Sequence, residues 1–288
     1  MPHLFCFGLG FSALALIDRL RPDGWTVAGT CRTEAKCREM AARGIAAHLF
    51  DGSAPLEPAA LAGATHILVS APPGRDGDPV LRHHADQLRG LTPAWIGYLS
   101  TTGVYGDTGG RVVTEESPLN PSSARSRQRV AAEAGWLDLW RRDGLPVHLF
   151  RLAGIYGPGR SALDQARAGA ARRIDRPDHR FSRIHVADIA NVLAASIARP
   201  SPGAVYNVCD DEPAPAADVT AEACRLLGIA PPPLVPFEEA AKEMSEMALS
   251  FWRDNRLVSN ARMKRDLGVA LLYPTYREGL AAILAAGG

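Results

Sequence analysis

The residues whose types and spacing first suggest chemistry are Gly8, Gly10 and Ala13, in the run Gly8-Leu9-Gly10-Phe11-Ser12-Ala13. An apolar run, His3–Phe7, precedes them and an amphipathic run, Ser12–Leu20, follows. A glycine at the first position permits a tight turn after a strand. A second glycine lets the backbone approach a pyrophosphate, and a small third residue lets helix and strand pack closely. The free N–H groups of the helix N-terminus add partial positive charge there. The string alone is a weak signal, but its position between a strand and a helix gives it weight. Gly8, Gly10, Phe11, Ser12 and Ala13 are therefore read as binders of a nicotinamide dinucleotide.

Which dinucleotide depends on the end of the next strand. An NAD site usually carries an acid about 20 residues on, bonded to the ribose 2′-hydroxyl. Here the second apolar run ends Gly29-Thr30-Cys31-Arg32-Thr33, with an arginine in place of the acid. A guanidinium matches a 2′-phosphate as a planar fork. NADP is expected in preference to NAD. The alternative is that Arg32 is a solvated loop residue.

The elements that must position this loop follow from alternation. Strands are expected at His3–Phe7, Thr26–Thr30, Ile45–Phe50, His66–Ser70, Trp95–Ser100 and Val147–Leu152. Helices are expected at Ser12–Leu20, Glu34–Arg43, Pro79–Leu91 and Ser122–Arg142. Near-continuous apolar strands alternating with helices imply an α/β fold with a parallel sheet covered on both faces, doubly wound by right-handed crossovers. Beyond Leu152 the rhythm changes. Val186–Ala198 reads as a helix, Ala204–Val208 as a strand returning to the sheet, and Tyr276–Ala285 as a last helix. Residues 1–156 with 186–210 are expected to form the dinucleotide-binding Rossmann domain. Residues 157–185 with 211–288 are expected to form a smaller C-terminal α/β lobe on the substrate side, with Pro231-Pro232-Pro233 as a stiff connector inside it.

Bulk composition narrows the class. Apolar residues make up 47% of the 288 and charged residues 22%, as in ordinary globular proteins. The formal charge is +1, from 32 basic and 31 acidic residues, so no basic footprint for nucleic acid is evident. The five cysteines, Cys6, Cys31, Cys37, Cys209 and Cys224, show no C-x-x-C spacing, which argues against a disulfide framework or a zinc site. His83-His84 has no companion ligands, and no metal is expected. No run reaches the roughly 18 apolar residues of a membrane span, and the cytoplasm is the expected location.

Further along, several segments resemble the extended short-chain dehydrogenase/reductase family, which includes nucleotide-sugar epimerases and dehydratases. They are Phe50-Asp51-Gly52, Ser70-Ala71-Pro72-Pro73, Leu99-Ser100-Thr101-Thr102-Gly103-Val104-Tyr105-Gly106, the run Arg151 to Gly159 ending Tyr-Gly-Pro-Gly, Arg183-Ile184-His185-Val186-Ala187-Asp188-Ile189-Ala190, and Tyr206-Asn207-Val208. They occur in the family's order and span the chain. The resemblance implies Asp51 near the adenine, Ser70, Ala71 and Pro72 beside the cofactor, and Thr101 as the Ser/Thr that orients substrate. It also implies a substrate cleft involving Tyr156, Arg160 and His185, where Arg160, Arg180 and Arg183 suggest an anionic small-molecule substrate. A homodimer through Pro79–Leu91 and Ser122–Arg142 is implied by the same analogy.

The resemblance breaks at the family's catalytic Tyr-x-x-x-Lys. With the helix registered through Glu133, Arg125 takes the tyrosine slot and Arg129 the lysine slot, and no tyrosine occurs between Gly106 and Tyr156. Arginine stays protonated, so Arg125 is a poor general acid or base. Arg129 retains the means to grip the cofactor, and Arg125, one turn away, to grip an anionic substrate. Tyr105 and Tyr156 are the candidates to replace the missing hydroxyl. Two readings stay open. One is an NADP-dependent reductase, epimerase or dehydratase acting on a carbonyl or sugar-like substrate. The other is a non-catalytic NADP(H)-binding redox sensor or regulatory module.

Overall fold

The computed structural model describes residues 1–287. Its strands are β1 (His3–Phe7), β2 (Thr26–Cys31), β3 (Ala46–Leu49), β4 (His66–Val69), β5 (Trp95–Thr101), β6 (Val112–Val113), β7 (Val147–Leu152), β8 (Gly154–Tyr156), β9 (Arg173–Asp175), β10 (Arg183–His185), β11 (Val205–Val208), β12 (Leu234–Pro236) and β13 (Leu257–Val258). Its helices are α1 (Phe11–Leu20), α2 (Glu34–Ala42), α3 (Pro79–Gly90), α4 (Ala124–Asp143), α5 (Ala162–Arg167), α6 (Val186–Ala198), α7 (Ala216–Leu227), α8 (Phe237–Ala240), α9 (Glu246–Arg253), α10 (Ala261–Leu267) and α11 (Tyr276–Ala285).

The central sheet is parallel and runs β11-β7-β5-β4-β1-β2-β3. The expected strands all appear in it, with ends moved by a residue or two, as hydrogen-bond fraying allows. The chain winds outward from β1 in one direction to β3 and in the other to β11. The switch point therefore lies between β1 and β4, where a doubly wound sheet opens a crevice beyond its strand ends. Gly8 follows β1 there and Ser70 follows β4.

Both faces of the sheet are buried, and the period of two in β1 shows why. Leu4 and Cys6 point into one core with Leu16, Ile17, Ile189, Val192 and Leu193 of α1 and α6. Phe5 and Phe7 point into the other with Val80, Leu88, Trp136 and Leu139 of α3 and α4. A third cluster joins Tyr156 and Leu163 to Val219, Ala223, Leu280 and Ile283, binding α5, α7 and α11 together away from the sheet. Short strand pairs of two or three residues each hold this part together: β8 with β10 and β9 with β12 link late segments to one another, and β6 with β13 joins them to the earlier chain.

All five cysteines are free thiols. Among the described residues no group of three or more His, Cys, Asp or Glu could hold a metal ion. No helix among them is long and apolar enough to cross a membrane.

One buried carboxylate sets the position of α4 on its face. Asp78 caps α3 by accepting from the amides of Val80 at 2.9 Å and Leu81 at 3.1 Å, and its other oxygen accepts from Trp136 Nε1 of α4 at 3.2 Å. Asp78→Ala removes the cap and strands a buried indole N–H, so it is expected to lower stability by about 2–4 kcal/mol. Asp78→Asn, which keeps a carbonyl oxygen, is expected to cost less than half as much. Urea unfolding followed by far-UV circular dichroism measures both.

Candidate functional site

Gly8 is required by the fold itself. Its φ is +99°, and a Cβ there would lie 2.7 Å from Ser70 Oγ. Its amide donates to Thr30 Oγ1 at 2.8 Å and its carbonyl accepts from Ser70 Oγ at 2.6 Å, which pins the turn between β2 and β4. Gly10 is different. It caps α1 with ordinary extended backbone, no side chain caps the leading amides, and the first turn holds no acid. A Cβ on Gly10 would meet nothing within 4 Å. Nothing in the protein's own packing calls for glycine at this position, and the uncapped helix end opens onto the space beside it. These are the features a pyrophosphate needs.

The rest of the loop is packing. Ser12 and Ala13 are buried against the sheet. Phe11 is half-buried, and a Cβ on Gly157 would lie 2.9 Å from its ring. The Arg160 guanidinium sits 5.9 Å from the Phe11 ring centroid. At the far end, Arg32 is exposed just beyond β2. Asp51 is exposed too, and the amide and hydroxyl of Ser53 on one of its oxygens, at 2.8 and 2.6 Å, hold its carboxyl below the usual range. Ala71 donates its amide to Phe7 O at 2.9 Å, so Ser70, Ala71 and Pro72 turn away from β4 at the crevice mouth.

A cavity of about 190 Å³ lies where β5 ends, walled by Thr101, Pro72, Arg125, Ser126 and Arg129, with Asp254 and Arg256 opposite. The structure thus brings four expected residues together: Thr101, Arg125, Arg129 and Pro72. Thr101 Oγ1 accepts from the Gly103 amide at 3.1 Å, leaving its own hydrogen to direct elsewhere. Arg129 donates through Nη1 to Leu99 O at 2.7 Å and Tyr98 OH at 3.0 Å, which fixes it at the cavity edge. Arg125 is exposed at the mouth. Arg256 donates to Asp254 Oδ2 and to Gly106 O, both at 3.1 Å. Three guanidinium groups against one carboxylate make the lining cationic.

Behind this wall lies a buried clasp that the sequence did not reveal. Arg151 of β7 donates from Nη2 to Glu133 Oε2 of α4 at 2.8 Å and from Nε to both Glu133 oxygens at 3.1 and 3.2 Å. Ser100 Oγ donates to Glu133 Oε1 at 2.5 Å. On the other side Arg151 Nη1 donates to Tyr105 OH at 2.8 Å, and Tyr105 OH donates to Asn207 Oδ1 at 2.7 Å. The Asn207 amide in turn donates to Glu115 Oε1 at 2.8 Å. Glu133 and Arg151 are 2% and 4% exposed, so neither can be solvated if the other is lost.

The clasp answers where the candidate hydroxyls stand. Tyr105 is 1% exposed and bonded on both sides, and burial raises its pKa. It holds the framework and does not line the Thr101 cavity. The reason is local: Thr102–Tyr105 form a tight 3₁₀ turn after β5, closed by Gly106 at φ +67°, and this turn carries the ring back beneath the strand end. Tyr156 OH donates to Thr275 O at 3.5 Å, and its ring packs against Gly279. Tyr156 and Arg160 line a second cavity, which shares no lining residue with the first. His185 caps α6 by accepting from the Ala187 amide at 3.2 Å and packs edge-on against Tyr156 and Tyr273, and burial pushes its pKa down to about 4. Asp188 accepts from the amides of Leu272 and Tyr273 at 2.6 and 3.1 Å, tying the late chain to α6.

Ser126, Glu133, Asp254 and Arg256 are the site and clasp residues not foreseen as such. A signal existed for Glu133 and Arg151: each is a charge inside an otherwise apolar run. Glu133→Leu is expected to lower stability by about 3–5 kcal/mol, because it leaves Arg151 buried and unpaired. Adding Arg151→Met is expected to recover part of that loss, giving a double-mutant coupling energy of at least about 1 kcal/mol in guanidinium unfolding.

The model of the NAD dependent epimerase/dehydratase family matches residues 89–209, the stretch holding β5, α4, β7, α6 and β11. A solved structure described as a functionally unknown conserved protein from Silicibacter pomeroyi is 48% identical, covers 99% of each chain and superposes with a TM-score of 0.92. Protein YeeZ of Escherichia coli (strain K12) is 27% identical over 292 residues, covering 95% of this chain and 97% of that protein. UDP-glucuronic acid 4-epimerase from Bacillus cereus, solved in complex with NAD, is 14% identical and covers 99% of each chain with a TM-score of 0.78, a likeness of fold. Residues 89–209 thus match the NAD dependent epimerase/dehydratase family within a doubly wound sheet whose open glycine loop lies at the switch point, and the whole chain shares the fold of these solved structures.

Proposed function

We propose that this protein binds NADP(H) and uses it for hydride transfer on a small anionic substrate that carries a carbonyl or the corresponding hydroxyl. The observation that carries this reading is the cationic cavity at the end of β5, where Thr101 faces Arg125, Arg129 and Arg256 beside the crevice.

The residues present fit the dinucleotide. The α1 N-terminus would hold the pyrophosphate, with Gly10 leaving room for it. Arg32 would take the 2′-phosphate and Asp51 the adenine side. Arg129 would take the place of the family's lysine at the nicotinamide ribose. When bound, the nicotinamide supplies or accepts the hydride.

The chain's own part is orientation and charge. The Thr101 hydroxyl, already accepting from Gly103, donates to the substrate oxygen. Arg125 and Arg256 hold the substrate's anionic group. As negative charge grows on the reacting oxygen, the guanidinium groups of Arg129 and Arg256, held by their bonds to Leu99, Tyr98, Asp254 and Gly106, stabilise it. They do not give up a proton at neutral pH, so the proton reaches that oxygen from water or through the Ser123–Ser126 hydroxyl pair, whose oxygens lie 2.9 Å apart. One observation favours a second reading, a non-catalytic NADP(H) sensor: both candidate tyrosine hydroxyls are engaged away from the cavity.

Two measurements test the proposal. In calorimetric titrations NADPH is expected to bind at least about tenfold more tightly than NADH, and Arg32→Ala is expected to erase that preference. Equal or tighter NADH binding by the unaltered protein overturns the NADP assignment. Turnover of NADPH with a panel of aldehydes, ketones and nucleotide sugars bearing carboxylate or phosphate is expected to fall by about 10²-fold or more in Thr101→Ala. Tight NADPH binding without turnover across the panel supports the sensor instead.

A further inference from the structure

We infer that the second cavity, enclosed by β8, α5, α7 and α11, is a separate binding site for a small organic anion with an apolar body, such as an aromatic carboxylate or phosphate ester. Its volume is about 510 Å³, in the range of small-molecule sites.

The argument begins with Arg183. This guanidinium lines the cavity wall, and its Nη1 donates to Phe181 O at 2.8 Å and Ala214 O at 2.9 Å. Among the described residues it has no carboxylate within ion-pair distance. The acids that act on it from further off are Asp210 and Asp218. Burial pushes the Asp210 carboxyl up to about 8, and neither of its buried oxygens makes a hydrogen bond to the Arg183 guanidinium. A buried guanidinium without an anion is costly, and a ligand carrying one would relieve that cost.

The other polar groups point the same way. Arg160 lines the cavity from its exposed rim. The one acid in the wall, Asp164, already accepts from Ser161 N and Oγ at 2.7 and 2.6 Å in the cap of α5. Tyr276 is 1% exposed, and its hydroxyl is buried without a hydrogen-bond partner. The remaining wall is apolar, with Ile155, Val219 and Leu280 to receive a ring or short chain. Two cations and several aliphatic side chains in one wall fit an amphipathic acid better than a sugar.

The site stands apart from the Thr101 cavity but not from the cofactor loop. Arg160 reaches the Phe11 ring, and Phe11 sits between the two glycines' turn and α1. Occupancy that holds Arg160 is therefore expected to alter dinucleotide affinity, and by reciprocity the dinucleotide alters affinity for the anion equally. This inference does not need the proposed hydride transfer.

The test titrates benzoate and phenyl phosphate, with benzyl alcohol as the uncharged control, into the unaltered protein with and without saturating NADPH, read by calorimetry. At least one anion is expected to bind with NADPH present, with the alcohol at least about tenfold weaker. Which anion binds better separates a carboxylate from a phosphate ligand. Arg160→Ala, at the exposed rim, is expected to weaken binding at least about tenfold, whereas Arg125→Ala leaves it unchanged. Arg183→Lys, which keeps the charge but loses the fork, is a second variant, with circular dichroism to confirm folding. The inference is overturned if no anion binds up to about 10 mM, if the alcohol binds equally, or if Arg125→Ala or NADPH abolishes binding while Arg160→Ala does not.

Discussion

The ion pair between Glu133 and Arg151 is the interaction on which the site's geometry depends. It joins the middle of α4 to β7, and through Ser100 and Tyr105 to the end of β5. Thr101 is the residue after Ser100, and Arg129 is one turn before Glu133. The clasp therefore fixes the distance between the strand that offers the hydroxyl and the helix that offers the guanidinium groups. Ala132, Trp136 and Leu139 pack α4 into the core, and a buried charge pair with a bidentate fork fixes its register more sharply than apolar contact does.

The same clasp holds the shape of the site behind Arg125 and Arg129. Arg125 and Arg129 replace the tyrosine and lysine that the resemblance leads one to expect. Glu133 and Trp136 tie α4 to the framework from behind, through Ser100 and Asp78, while Arg129 adds its bonds to Leu99 O and Tyr98 OH. Arginine at these two positions supplies positive charge and no acid–base hydroxyl. That favours substrates with negative charge and steps in which a developing oxyanion needs stabilisation more than immediate proton transfer.

The legible parts of the sequence were those governed by local rules. Gly8, Gly10 and Ala13 lie within one turn, so spacing alone points to the loop. Strand alternation in Leu4, Phe5, Cys6 and Phe7 shows a sheet buried on both faces, and α6 and α11 have the bounds their amphipathic runs suggest. The late-chain pairs were not legible. Val112–Val113 meets Leu257–Val258 far along the chain, and two-residue strands carry no period. Glu133 and Arg151 each stand as a charge in an apolar run, but the sequence does not say that they pair, and only their meeting in space makes them a clasp. Tyr105 was placed at the cleft because it follows Thr101 closely, but the 3₁₀ turn at Thr102–Tyr105 reverses its direction. The lining arginines divide between two cavities for a similar reason, because Arg160 lies beyond the turn that folds α5 back onto α7 and α11.

Gly10 offers the most direct test of the account. A side chain there would meet no protein atom within 4 Å, yet it would occupy the space over the open end of α1. Gly10→Val is therefore expected to lower the thermal midpoint of the ligand-free protein by only a few degrees, the cost of a poorer N-cap, while weakening calorimetric NADPH binding by at least about 100-fold. Binding within a few-fold of the unaltered protein would contradict the assignment of this loop as the pyrophosphate site.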